Sequence, residues 1–315
     1  MRKFILSLFT LFIFLIALSQ QKDNNDLIIE KGHMPSITKD KGNNIHIVYG
    51  TGDSVMYIFS KDGKRFSSPV LVAVLPELFA SATRGPQIAA ITNGIVVTAS
   101  DKAGNFYSYR KETGSKWDKA KRVNDINETS KEGLTALSAD GSNLIAAWLG
   151  VNNPKGQTLY GARSEDGGKT WSRNVIVYAS LSGTVCECCK PSAVVSGNNV
   201  YLMFRNFLNG DRDFYLAKSS DNGKTFGPAE KLGNGSWKLN GCPMNGGGLA
   251  VNKDNIPQTV WRREGEIFSA QPGAPERKIG EGRSCSIESI NNKNVYVWTE
   301  KGNIVLRGQR AKSKS

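Results

Sequence analysis

Five cysteines carry the most specific chemistry in this 315-residue sequence. Cys186, Cys188 and Cys189 lie in Val185-Cys186-Glu187-Cys188-Cys189-Lys190-Pro191. Cys242 follows Gly241 and precedes Pro243, and Cys285 ends Arg283-Ser284-Cys285. Thiolates are strong ligands for soft ions, so a group of them beside His33 and Met34 admits copper or zinc. In an oxidising compartment the same residues form disulfides. Two bridges with one thiol over would join Cys186 or Cys188 to Cys242, and Cys189 to Cys285. A redox or nucleophilic thiol is a third reading. With only 2 His in the chain, a multi-histidine metal site is excluded.

Such residues meet only if the fold brings their segments together, and the fold is written as a repeat. Ser164-Glu165-Asp166-Gly167-Gly168-Lys169-Thr170-Trp171 matches Ser219-Ser220-Asp221-Asn222-Gly223-Lys224-Thr225-Phe226. Both read Ser-x-Asp-x-Gly-x-Thr-aromatic. Shorter or degenerate copies centre on Asp62, Glu112 and Gln271. The third motif positions are therefore 62, 112, 166, 221 and 271, spaced by 50, 54, 55 and 50 residues. A β-rich run precedes each copy, as in Leu144 to Leu149 and Asn199 to Phe204, and a second leads into it, as in Leu159 to Ala162 and Phe214 to Ala217. A proline stands near the opening strand of several units, at Pro35, Pro86, Pro191 and Pro243. The pattern predicts an all-β chain of six four-stranded antiparallel units of about 49 residues each, a six-bladed β-propeller. The last unit lacks a fourth strand, and the run Leu27 to Glu30 is expected to close it from the N-terminal side, which would remove an exposed sheet edge. The starts of the innermost strands then converge near the axis, and the cysteines with them.

Arg2 and Lys3 precede an apolar run from Phe4 to Leu18, with small residues after it. This order is that of a secretory signal peptide over residues 1–20. Residues 21–309 are then one propeller, and 310–315 a basic tail. The expected location is outside the cytoplasm, in a periplasm or beyond the cell. Membrane contact is expected only through an uncleaved leader. Lys and Arg number 41 against 28 Asp and Glu, a net charge of +13, which favours an anionic partner.

The recurring motif is the Asp-box, and the chain resembles the sialidase-like (BNR-repeat) propellers along its whole mature length. In that family the box is structural, so Asp62, Asp166 and Asp221 are expected to hold turns. The resemblance also implies a catalytic set: an arginine triad for the substrate carboxylate, a Tyr nucleophile helped by a Glu, and an Asp acid/base. Here that set is incomplete. The first arginine's place reads His33-Met34-Pro35, while Arg84 stands in the next unit. Arg205 fits the second arginine, and Arg262 and Arg263 lie near the third. Arg283 stands where the Tyr is expected, and Glu187 is the nearest carboxylate to the fourth unit's entry. Two functions follow. One is a carbohydrate-active or glycan-binding propeller, with Arg84, Arg205 and Arg283 holding an anionic glycan or small molecule. The other is a metal-binding or thiol-based protein built on the cysteine cluster. Gly246-Gly247-Gly248 follows a strand start with no helix to complete a phosphate site, and nucleic acid is not an expected partner. A monomer is expected.

Overall fold

The structure is a computed structural model that describes residues 28–126, 129–151, 156–290 and 292–308. The leader and the basic tail expected from the sequence lie outside the described residues. The chain divides into a short N-terminal unit, Met1–Glu30, and the body, Lys31–Ser315. Among the described residues no helix is long and apolar enough to cross a membrane.

The body consists of antiparallel sheets in chain order. The first holds β1 (His33–Lys39), β2 (Ile45–Thr51), β3 (Ser54–Ser60) and β4 (Val70–Val74). The second holds β5 (Gln87–Ile91), β6 (Gly94–Ser100), β7 (Phe106–Glu112) and the two-residue β8 (Lys121–Arg122). In the third are β9 (Thr135–Asp140), β10 (Asn143–Val151), β11 (Gln157–Ser164) and β12 (Val175–Ala179). The fourth adds a fragment: β13 (Thr184–Val185) and β14 (Ser192–Ser196) both pair with β15 (Asn199–Leu208), which pairs with β16 (Asp211–Ser219), then β17 (Glu230–Lys231). The fifth is β18 (Gly248–Val251), β19 (Pro257–Arg263), β20 (Glu266–Ala270) and β21 (Arg277–Glu281). The sixth has three strands, β22 (Arg283–Ile290), β23 (Lys293–Glu300) and β24 (Asn303–Gly308). The expected closing strand is not formed in the described residues: Ile28, Ile29 and Glu30 lie outside any strand, and Leu27 is outside the described residues. Three residues ahead of Lys31-Gly32 make a short run, and Ile28 remains 87% exposed.

The first strands stand side by side: β1 by β5, β5 by β9, β9 by β14, β14 by β18 and β18 by β22. Core clusters fill the seams between sheets, with Leu149 and Leu159 of the third packed with Leu202 and Phe204 of the fourth. The glycine run serves this packing. A Cβ on Gly247 would fall 2.4 Å from Met203 Cε, and one on Gly248 3.0 Å from the Ile287 backbone nitrogen.

The Asp-box turns build the outer connections. Asp166 Oδ1 accepts from the Thr170 N–H at 3.0 Å, and its Oδ2 accepts from the Thr170 hydroxyl at 2.5 Å. Asp221 repeats both bonds with Thr225, at 3.0 and 2.6 Å. Asp62, whose turn is one residue shorter, accepts instead from the Lys64 and Arg65 backbone, each at 2.9 Å. Gly168 takes φ +84°, and a Cβ there would meet Val96 of the second sheet at 2.8 Å. Trp171 then donates Nε1–H to Ser108 of the same neighbour at 2.7 Å. One motif thus ties its own hairpin and the adjacent sheet.

Candidate functional site

Residues of all six first strands line one cavity of roughly 500 Å3, among them Ile37, Gln87, Leu137, Ser192, Leu249 and Ile287. Four lining residues at strand entries are left-handed without being glycine: Met34 (φ 51°), Thr83 (72°), Met244 (46°) and Ser284 (56°). Each costs on the order of 1–3 kcal/mol, and such strain collects at functional faces. The first and last sheets share a register shift there, between His33 and Ser36 and between Arg283 and Ser286. Lys190 reaches into this space and donates from Nζ to Gln87 Oε1 at 2.6 Å. Burial of the amine lowers its pKa to about 8.

The cysteine group lies where β13 passes into β14. Both pair with β15, and the Cys186 N–H continues the ladder by donating to the Arg205 carbonyl at 2.9 Å. The chain must turn within Cys186–Cys189 to re-enter the same sheet, which gathers three sulfurs. The Cys186 sulfur is 3.5 Å from those of Cys188 and Cys189, and these two are 4.0 Å apart. All three residues are buried. Cys242 joins from the segment between β17 and β18, bonded to Cys188 across a Cα separation of 6.2 Å. Cys186, Cys189 and Cys285 are free thiols. The expected Cys189–Cys285 bridge is therefore not formed. Cys285 packs with Val260, Ile287 and Trp298 instead, and burial raises its thiol to about 12. His33 is exposed on β1 and is not one of the residues grouped with the sulfurs.

Two arginines border the sulfurs. Arg212 donates Nη1–H to Cys186 at 3.0 Å. Arg205 is 1% exposed and lies over Phe214 and Trp237, 4.1 and 5.3 Å from the ring centres. Its Nη1 donates to the Arg212 carbonyl at 2.5 Å and its Nη2 to the Arg262 carbonyl at 3.0 Å, while Nε has no partner. Cys186 and Cys189 share a hydrogen bond. That bond, against burial, lowers the Cys186 pKa with help from the Cys188 N–H and both arginines, and raises that of Cys189.

None of the expected anion-binding arginines, Arg84, Arg205 and Arg283, is among the residues that line the cavity. Arg84 is committed to Glu132, donating to its carbonyl at 2.5 Å and to its carboxylate at 3.4 Å. Arg205 is sealed in the fourth sheet, and Arg283 is exposed on β22. Arg263 pairs with Glu276 at 2.9 Å and covers Phe268. Glu187 is half-buried within the cysteine turn. The Lys190 amine went unnoticed in the sequence, where it reads as one lysine among many. Its place between the cysteine turn and Pro191 was the available signal.

No family model and no curated protein matches the sequence. Solved structures do match in shape. The BP39L lectin from Burkholderia pseudomallei is 9% identical with a TM-score of 0.65, over 91% of this chain and 83% of the lectin. Trypanosoma rangeli sialidase, bound to the inhibitor DANA, is 12% identical with a TM-score of 0.53, over 89% of this chain. The chain spans 54% of that sialidase. An ulvan lyase is 9% identical with a TM-score of 0.56, over 90% and 80% of the two chains. Likeness at these identities concerns the fold alone, and it supports a β-propeller.

Proposed function

We propose that the protein is an exported, monomeric, sialidase-like propeller that binds an anionic glycan or small anion in its central cavity, without ordinary sialidase hydrolysis. The observation that carries this reading is the cavity lined by all six first strands, with the Lys190 amine as its cation. A concave site with a few polar groups is the form in which small ligands are held. The chain's charge of +13 favours anions at a distance, and Lys190 favours them at contact. The lectin, sialidase and lyase likenesses supply the ligand class by fold analogy. Export rests on the leader-like residues 1–20.

Two features support the missing hydrolysis. Arg283 occupies the position at which the family resemblance calls for Tyr. Arg205 spends its guanidinium on backbone carbonyls, so a bidentate grip on a substrate carboxylate is not available from it. We also propose that the ring closes between β22 and β1. The last sheet carries apolar side chains open to water, Ile304 and Leu306 on β24 at 80% and 71%, and closure gives this face a partner.

Calorimetric titration with carboxylated, sulfated and neutral oligosaccharides tests the reading. We expect saturable binding of a carboxylated or sulfated sugar, weakened at least tenfold in Lys190→Met, and no release of sialic acid from a fluorogenic sialoside. Failure to bind any anionic sugar, or binding unchanged by Lys190→Met, would overturn the assignment of the cavity. Sialoside turnover would overturn the catalytic part.

A further inference from the structure

We propose that, once the Cys188–Cys242 bridge is reduced, the chain holds a single soft closed-shell metal ion, zinc(II) or copper(I). The ligands are Cys186, Cys188, Cys189 and Cys242. This site is independent of the cavity reading.

Distances carry the argument first. At a zinc–sulfur bond of about 2.3 Å, the edges of a tetrahedral ZnS4 unit are roughly 3.8 Å. The three sulfurs of Cys186, Cys188 and Cys189 are separated by 3.5, 3.5 and 4.0 Å, which is one face of such a tetrahedron. The three lie close enough to hold one ion, and all are buried. Cys242 is bonded to Cys188 and lies outside the three-sulfur group, so it supplies the fourth ligand only after the bridge opens. Opening that bond frees the Cys242 sulfur to turn toward the face and complete the set.

Charge and hydrogen bonding agree. Four thiolates around a divalent ion carry two negative charges, and two guanidinium groups, Arg205 and Arg212, border the cluster. Neither arginine makes a carboxylate ion pair among the described residues, and Arg205 is buried with its Nε unpartnered. A buried cation without an anion is costly, so the site is built for negative charge. Arg212 donates to Cys186 at 3.0 Å. Such an outer-shell donor orients a metal ligand and holds its charge.

The step balances as follows. A thiol or phosphine reductant supplies two electrons to the Cys188–Cys242 bond, and each sulfur takes up a proton. The metal ion then displaces the thiol protons to solvent. Bridge and metal are alternatives, because Cys188 and Cys242 cannot serve both.

The test uses the full mature chain, reduced with a phosphine without oxygen or chelator, loaded with zinc and desalted. One zinc per chain is expected, with loss of zinc in Cys189→Ser and retention in Cys285→Ser. Loading with cobalt(II) gives a second readout that needs no variant, an intense thiolate-to-cobalt absorption with the visible bands of a tetrahedral ion. Loaded protein exposed to air should form the Cys188–Cys242 bridge at least tenfold more slowly than metal-free protein, by peptide mapping. Less than about 0.1 zinc per reduced wild-type chain, zinc retained by Cys189→Ser, or an octahedral cobalt spectrum would each overturn the proposal.

Discussion

Arg212 donates an Nη1–H to the sulfur of Cys186 across 3.0 Å, and both residues are buried. The bond fastens the start of β16 to the cysteine turn. Arg212 is itself held by Phe207, 4.4 Å beneath its guanidinium, and by the Leu239 carbonyl at 3.3 Å. The cysteine turn, the β15–β16 hairpin and the segment leading to Cys242 are thus one assembly.

Removing Arg212 should loosen all three. Arg212→Met should cost about 1–3 kcal/mol in urea unfolding, since it strands a buried acceptor and a carbonyl. Arg283→Ala, at an exposed position, should stay within about 0.5 kcal/mol. Equal effects would show that Arg212 is not structural.

Acid sensitivity should trace to the turns. Burial opposes the Asp166 charge, but bonds from Thr170 and Ser164 outweigh it and lower the pKa below the usual carboxylate value. A lowered folded pKa gives stability that is present above the unfolded pKa and lost as pH falls through the folded one. Asp166→Asn should therefore flatten the decline in stability below about pH 4. An unchanged acid limb in denaturant titrations would count against this role.

Much of the fold was legible because the second and third strands of the first five sheets repeat at fixed distance from an Asp-box or its degenerate copy, and the box itself explains why. A carboxylate that must accept from a backbone N–H and a Thr hydroxyl leaves a local signature. The unread parts are non-local. β13 is two residues long, too short for periodicity, yet it sets the cysteine turn. Arg205 sits in a strand buried on both faces, so alternation could not tell that its guanidinium turns into the sheet. Cys285 shares the strand-entry position of the other cysteines but points into the seam with Ile287 and Trp298. The closing strand was inferred from the exposed edge of a three-stranded last unit, and an open edge does not oblige a short run to pair.

Ring closure is testable at Ile304. If the last sheet packs against the first in solution, Ile304→Lys should destabilise by about 1–3 kcal/mol. Leu306→Lys should do the same, and the double variant should cost less than the sum. Wild-type stability in both single variants would contradict closure and leave this face open to water.

Lys190 should destabilise the fold for the sake of its site. Its pKa falls from 10.5 to about 8 on folding, so between those values the unfolded chain binds more protons and stability rises with pH. At neutral pH, Lys190→Met should be the more stable protein, by up to about 3 kcal/mol. The gap should close as pH climbs toward about 10. Subtracting the two stability curves isolates this group from the rest of the chain. A pH-independent difference would exclude the amine as its source.

The most direct test of the cavity is the affinity of wild-type protein for its best anionic oligosaccharide at about pH 6.5 and about pH 9.5, on either side of the Lys190 pKa. Calorimetry should show binding at the lower pH and at least a tenfold loss at the higher, where the amine is neutral. Equal affinity at both would contradict a cavity that holds its ligand through Lys190.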